Sequence, residues 1–305
     1  MKYGYACINT ELSKQNITTN RTLRRKTLQE KGIEYYDSLV LQNIDDLLTV
    51  LQWNEHNGIR FFRISADLFS HKDQIQIHQL PSINLIERKL DFIGRYIMDH
   101  GHRVSIHADH FTILASQRRD VVQKSIDDLT FFSTIFDYMK LDRTPYYKIN
   151  VHIGTHKPDK KEALYRFYQA LQGVPFHALG RMTIENDDSP NAYTVQDLYD
   201  FNMEYFPTQP IPIVFDYHHH KLNPGYLSEE QALRLAASTW PEGITPVAHY
   251  SSSKKLHEDA KARDIAHADY VYENIQTYGL DIDIMFEAKM KEQAVISYSQ
   301  KLLVD

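Results

Sequence analysis

The chain has 305 residues, of which 42% are hydrophobic and 24% charged. That is an ordinary globular composition, with material for one large domain or two smaller ones. The formal net charge of −6 argues against a generally basic nucleic-acid binder and leaves phosphate contact to local patches. A single cysteine, Cys7, excludes an internal disulfide. With no signal-peptide pattern and no apolar run long enough for a bilayer, the expectation is a cytoplasmic protein.

Short β-rich runs alternate with helical patterns along the whole chain. The first strand is read at Lys2 to Ile8. The stretch from Thr10 to Asp37 that follows is too long for an ordinary connection. It carries Lys14, Arg21, Arg24, Arg25, Lys26 and Lys31 against the lone acid Glu30 between Lys14 and Lys31. Such a stretch is a solvated insertion or a basic arm. A helix over Leu39 to His56 then places Leu47, Leu48 and Leu51 on one face. The pattern continues with a strand at Ile59 to Ile64, a helix at Asn84 to His100, a strand at His102 to His107 and a helix at Val121 to Met139. Tyr146 to Ile153 (strand), Lys160 to Leu171 (helix), Arg181 to Glu185 (strand) and Val195 to Tyr205 (helix) follow. Ile211 to Asp216 (strand), Ser228 to Ser238 (helix), Thr245 to His249 (strand), Ile265 to Tyr278 (helix) and Leu280 to Glu287 (strand) complete it. Turn residues such as Gly58, Gly101, Pro145, Gly243 and Gly279 mark the joints. Eight strands separated by helices predict a single-domain (β/α)8 TIM barrel over residues 1–305, an α/β fold with the basic insertion at about 10–37.

The polar residues at the strand ends form a series: Asn9, Asp67, His107, His152, Glu185, Asp216, His249 and Glu287. In a (β/α)8 barrel these positions converge on one mouth, where active sites lie. Any one strand-end histidine is explained by a hydrogen bond of its own. The recurrence of metal-ligand types at the same phase of successive units is not. Carboxylates and imidazoles together suit borderline divalent cations. His219, three residues after Asp216, and His267 are loop candidates for the same centre, although each also reads as a plain polar side chain. Two or three ions in a barrel mouth suit phosphodiester hydrolysis, one activating water and another offsetting charge on the leaving oxygen. Glu185, central in the series, is the candidate bridge. Glu185, His107 and Asp67 are the candidate catalytic residues.

At these residues the sequence resembles the UV-damage endonuclease family. The resemblance runs through Gly4-Tyr5-Ala6-Cys7-Ile8-Asn9, Asn20-Arg21-Thr22, Phe62-Arg63-Ile64-Ser65, Asp67-Leu68-Phe69, Ile106-His107 and Val151-His152-Ile153-Gly154. It continues in Ile184-Glu185-Asn186-Asp187-Asp188, Phe215-Asp216, His218-His219, His249-Tyr250-Ser251-Ser252, His267-Ala268-Asp269 and Phe286-Glu287-Ala288-Lys289. It implies a metal-dependent nuclease that nicks DNA immediately 5′ to UV photoproducts (pyrimidine dimers and 6-4 products), leaving a 3′ hydroxyl and a 5′ phosphate. It also implies kinship in fold with endonuclease-IV-type apurinic endonucleases. The implied metal ligands are His107, His152, Glu185, Asp216, His219, His249, His267 and Glu287. They would hold two or three divalent ions, manganese first, with zinc, magnesium or cobalt as alternatives. The implied partner is double-stranded DNA carrying UV lesions, bound by a monomer with no membrane and no obligate protein partner. Tyr5, Asn9, His110, Phe111, Arg24, Arg25 and Lys26 are candidates for DNA and lesion contact, with Lys157, Lys160, Lys161, Lys254 and Lys255 in other loops of the same face.

Two departures stand out. Some members carry a Gln-Tyr probe after the third-strand histidine, where this chain has Ala108-Asp109-His110-Phe111. Some carry a modified lysine two residues before the seventh-strand histidine, where this chain has Val247. The competing readings are a metal-dependent TIM-barrel sugar isomerase or epimerase, an apurinic-type endonuclease and a metal-storing barrel. Eight candidate ligands exceed what an isomerase needs.

Overall fold

Side chains of a strand alternate between its two faces, so in a barrel every second residue points at the axis. The computed structural model describes residues 1–303. Its strands are β1 (Tyr3–Ala6), β2 (Phe61–Ile64), β3 (Arg103–His107), β4 (Ile149–Val151), β5 (Met182–Glu185), β6 (Ile213–Asp216), β7 (Val247–Tyr250) and β8 (Asp283–Phe286). They run parallel and in chain order, and β1 pairs with both β2 and β8 to close the barrel. All eight expected strands are present, each somewhat shorter than its apolar run.

The helices are α1 (Thr10–Ser13), α2 (Arg25–His56), α3 (Ile83–Asp99), α4 (Arg119–Tyr138), α5 (Lys160–Leu171) and α6 (Phe176–Leu179). The others are α7 (Val195–Tyr205), α8 (Tyr217–Leu222), α9 (Glu229–Ala237), α10 (Lys254–His257) and α11 (Lys291–Leu302). Their packing follows the apolar stripe: α3 buries Ile86, Leu90, Ile93 and Ile97. None is long and apolar enough to cross a membrane.

Two regions differ from the sequence reading. The helix read at Ile265 to Tyr278 is absent. That segment instead folds back on the end of β7, with Lys254 N donating to Ala266 O and Ala268 N to Ser252 O, both backbone bonds. His267 pairs there with Ser253 in an isolated bridge. The apolar residues that mimicked a helical stripe are β-branched and aromatic, types at least as suited to extended chain. The barrel is completed instead by α11, which the sequence reading passed over.

The insertion is more ordered than an arm. α2 already begins at Arg25, broken at Gly32, whose φ of 79° lies outside the helical region. Arg21 is a clamp: Nη1 reaches Asp46 at 2.7 Å and donates to Thr18 O at 2.6 Å. Buried Glu292 of α11 accepts from the backbone N–H groups of Thr10 and Glu11 at 2.8 and 2.9 Å, tying the start of the insertion to the barrel.

Inside the barrel, Ala6, Phe61, Val214, Val247 and Met285 form an apolar layer with Trp240. Arg103 lies in the same interior, its Nη1 2.9 Å from Asp283 and its guanidinium 5.5 Å from the Trp240 ring. These groups close the barrel floor and leave the opposite, C-terminal mouth for chemistry.

Gly94 shows how tightly α3 meets its neighbour: a Cβ there would lie 1.7 Å from the carbonyl oxygen of Met139. Gly94→Ala should therefore cost about 3 kcal/mol of stability through overpacking. Urea unfolding of the variant against the parent measures this, and an unchanged midpoint would contradict the packing.

Candidate metal centre at the barrel mouth

The centre is built around Glu185, the last residue of β5, which is 1% exposed. His107 Nε2 lies 3.2 Å and His249 Nδ1 3.1 Å from its Oε2. Asn150 Nδ2 also donates to Oε2. On the other side His219 Nδ1 lies 3.5 Å from Oε1. Two groups have donor atoms within 4.8 Å of one another: His107, His152 and Glu185, and Glu185, Asp216 and His249. Glu185 belongs to both.

The surroundings fix which ring nitrogen is free. A carbonyl oxygen can only accept, so His107 Nδ1–H donates to Ala108 O at 2.9 Å and His219 Nδ1–H to Asn186 O at 2.8 Å. His152 Nδ1–H donates to Asp187 at 2.7 Å. In each, Nε2 remains for a metal, held by the outer hydrogen bond that tunes metal-binding imidazoles. Asp216 caps α8 by accepting His219 N–H at 2.8 Å on Oδ1. Its Oδ2 is buried with no partner. An orphaned carboxylate oxygen beside imidazoles and a second carboxylate fits a divalent cation, which would satisfy it.

The electrostatics agree. Burial pushes the Glu185 carboxyl up, but the imidazoles of His249, His152 and His107 overrule it and hold it well below the usual range. Burial raises Asp216 to about 7, with His219 opposing and Glu185 and Glu287 adding to the rise. Burial would lower His152, yet Glu185 and Asp187 lift it to about 9. Against the same penalty, Asp216 and Glu185 lift His219 to about 10. His249, burial dominating, falls to about 3.

The structure gathers six of the eight strand-end residues: His107, His152, Glu185, Asp216, His249 and Glu287. Glu287 lies 3.5 Å from His249 Nδ1 and 2.7 Å from Arg63. His219 enters from α8. His267 donates or accepts at Ser251 Oγ (2.7 Å) on the same rim, and burial lowers it to about 4.

Asn9 and Asp67 do not join. Asn9 is buried as the cap of α1, accepting from Leu12 N at 2.9 Å, and its amide donates to Tyr5 OH. Tyr5 is fully buried, with its hydroxyl donating to Asn54 at 2.6 Å. It alternates with Gly4 and Ala6 and so faces the helix layer, away from any DNA contact. Asp67 is exposed on the 3-10 turn after β2. β2 contributes Arg63 instead.

The sequence reading passed over Arg63, Lys148, Asn150 and Asp187. A signal existed for two of them: in Lys148-Ile149-Asn150-Val151-His152 the polar residues alternate in phase with the ligand His152. Val247 is buried in the apolar layer, and the buried amine at the centre is Lys148, whose Nζ lies 3.3 Å from His249 Nε2.

Among the nominated DNA contacts, Phe111 is 65% exposed and lies tilted against His110, their ring centroids 3.9 Å apart and their planes at 42°, in the loop after β3. Arg24, Arg25 and Lys26 are exposed. Arg25 pairs with Asp73 at 2.6 Å and Lys26 lies 3.8 Å from Glu30, while Arg24 has no ion pair among the described residues. Lys160 pairs with Asp197, Lys254 with Glu258 and Lys255 with Asp264.

A closed barrel with a buried carboxylate–imidazole cluster at its C-terminal mouth, arranged so that it could hold a metal ion, defines a (β/α)8 protein with a polar centre at the strand ends. The family model described as UV-endonuclease UvdE matches residues 1–304, and the chain belongs to that family. It is 33% identical over 314 residues to a UV-damage endonuclease of Schizosaccharomyces pombe, covering 98% of this chain but only half the length of that relative. It is 28% identical to a UV DNA damage endonuclease of Bacillus thuringiensis, over 99% of this chain and 94% of the other. The crystal structure of SacUVDE superposes with a TM-score of 0.84 at 26% identity, covering 99% of this chain and 98% of that one. Endonuclease IV from Thermus thermophilus shares the fold at a TM-score of 0.58 and 13% identity, over the full length of both chains.

In the metal-free protein His152 and His219, lifted to about 9 and 10, carry a proton on Nε2 at neutral pH as well as the outward-bonded Nδ1–H, so an ion loading at Nε2 would displace that proton. Calorimetric titration of chelator-treated protein with Mn²⁺, in buffers of different ionisation enthalpy, should show net proton release. Release should diminish as pH rises through 9 to 10. Binding without proton release would mean that these rings are not ligands.

Proposed function

We propose that this protein is a metal-dependent DNA repair endonuclease that nicks the phosphodiester immediately 5′ to pyrimidine dimers and 6-4 products, leaving a 3′ hydroxyl and a 5′ phosphate. The observation that carries the reading is the sharing of Glu185 between two compact donor sets, on a chain of the UV-endonuclease family. The proposed ligands are His107, His152, Glu185, Asp216, His219, His249, His267 and Glu287, for two or three divalent ions, manganese first. When bound, such ions supply an activated water and neutralise charge on the leaving oxygen. The chain does the rest. Glu185 sets the spacing of the two donor sets. Asp187, Ala108 O and Asn186 O hold three imidazoles in the ligating tautomer. Arg24, with Arg25 and Lys26, offers the DNA backbone a basic rim on an otherwise acidic protein. Pairing of Arg25 and Lys26 with acids makes that rim weaker than the sequence count suggests.

A phosphate inside a duplex reaches a barrel mouth only if the lesion leaves the stack. That costs a few kcal/mol, less where a photoproduct has already weakened pairing. Phe111 and His110 are exposed, in ring contact and follow β3 closely, which supports reading them as the residues that fill the gap. Stacking on one base contributes roughly 1–3 kcal/mol.

The direct test uses a duplex with one defined cyclobutane dimer. The parent with Mn²⁺ should give a single nick at the 5′ side of the lesion, with ends that a polymerase extends and a ligase accepts. Glu185→Gln should remain folded and lose more than about a hundredfold in rate, beyond the usual cost of disturbing support residues of a metal site. Cleavage elsewhere, or a fully active variant, would refute the assignment.

Phe111→Ala should keep its melting temperature, because its ring is in solvent. Its rate should fall on a paired duplex and recover when bases opposite the lesion are mismatched. An equal loss on both substrates would remove Phe111 from lesion opening.

A further inference from the structure

Left-handed backbone suits glycine and asparagine and strains other residues, so it persists only where the surroundings impose it. Lys291, the first residue of α11, has a φ of 49°. Lys140 shares the conformation at 58°, but it follows α4 and its cap Met139, the ordinary place for a left-handed residue. The start of a helix is not such a place. Three backbone bonds impose the turn at Lys291. Lys289 N donates to Ala268 O and Met290 N to Asp269 O, both at 3.0 Å, and Lys291 N folds back to Ala288 O at 3.3 Å. Ala288 directly follows Glu287 and is fully buried, so the turn keeps Lys291 at the barrel mouth. Burial lowers its amine, with Cys7 and Glu287 opposing and Arg63 and Lys289 adding to the fall. Cys7 is itself left-handed, at 68°, its N–H bound to Arg63 O at 2.8 Å. Two strained residues thus meet beside the Glu185 centre.

Several cations of this face are spent: Arg63 on Glu287, Lys160 on Asp197, Lys255 on Asp264. Lys291 is partly buried and has neither an ion pair nor a side-chain hydrogen bond of its amine among the described residues. The geometry points to Lys291 as the seat of the phosphodiester that is cut: its ammonium donates to a non-bridging oxygen of that phosphate and holds it against the Glu185 centre. A partly desolvated ammonium lacks the hydration that burial removed, and a phosphate oxygen restores it through a charge-assisted bond. The strained turn is retained because it aims the amine at the mouth. This contact presupposes the endonuclease activity proposed above and names one substrate-binding residue within it.

The test is binding of the full chain to a duplex with one cyclobutane dimer, in chelator so that nothing is cut. Asparagine tolerates the left-handed region and carries no charge, so Lys291→Asn should melt no lower than the parent. Its Kd should rise about tenfold to a hundredfold, as for a lost hydrogen bond between charged groups. Its salt dependence should flatten by about one phosphate contact. An uncharged methylphosphonate at the 5′ side of the dimer should weaken the parent by a similar factor and leave Lys291→Asn within about twofold of its own value on the unmodified duplex. Lys291→Gly, which removes both the cation and the strain, should behave likewise and replaces Lys291→Asn if that variant does not fold. Lys140→Asn makes the same change at the opposite end of the barrel, between α4 and β4, and should bind as the parent does. A folded Lys291→Asn that binds like the parent, or that loses the full factor again on the methylphosphonate duplex, would overturn the proposal. An equal loss in Lys140→Asn would also overturn it, by showing an effect of overall charge. A parent that binds damaged and undamaged duplex alike, and cuts neither when given Mn²⁺, would overturn the endonuclease reading and this contact with it. Failure of the Lys291 contact alone leaves the parent's lesion binding and cutting intact.

Discussion

A carboxylate that is nearly fully buried stays ionised only if its surroundings compensate the lost hydration, and Glu185 is such a carboxylate. Most features of the barrel mouth follow from that requirement. Imidazoles from β3, β4 and β7 and one from α8 converge on it. Asn150 donates to it from the same face of β4 as His152. The outer bonds to Asp187, Ala108 O and Asn186 O turn three of those rings so that Nε2 is left free. The apolar layer beneath, with Arg103 and Asp283, keeps water from entering through the floor. A half-compensated buried cluster is worse than an apolar core, so the arrangement makes sense only with a cation in reach. Arg63 provides part of that charge, and in the proposed reading divalent ions provide the remainder.

Much of this was legible in the sequence because barrel geometry maps onto periodicity. His107, His152, Glu185, Asp216, His249 and Glu287 lie at matching phases of successive units, and a closed barrel brings matching phases together. The failures have physical causes. Asn9 and Tyr5 belong to the first unit, where β1 ends at Ala6 and the chain turns at once into α1. Asn9 is consumed as a helix cap, and Tyr5 faces outward by strand alternation. Asp67 lies beyond the end of β2, where a 3-10 turn carries it into solvent. Arg63 was passed over because the reading took only the polar residue at the end of each strand, and Arg63 lies within β2. The segment after β7 imitated a helix in apolar spacing, yet its backbone bonds go to the strand end, which brings His267 to the rim.

The basic insertion illustrates the limit of counting charge. The sequence shows six cations against one acid between Lys14 and Lys31. In the fold Arg21 is spent on Asp46 and backbone carbonyls, Lys14 on Glu11 and Arg25 on Asp73. Acids from α1, α2 and the loop after β2 answer cations that looked unopposed. Lys31 lies over the Tyr35 ring. What is left for a polyanion is a narrow rim rather than a broad track, which suits the proposed selection of a distorted site over bulk DNA.

The central claim is that Glu185 is shared by two metal ions. Crystals grown with Mn²⁺ and measured near the manganese absorption edge test it most directly. The account predicts two anomalous peaks, one among His107, His152 and Glu185 and one among Glu185, Asp216 and His249. A strong peak only at the Glu287 corner, or none touching Glu185, would contradict it.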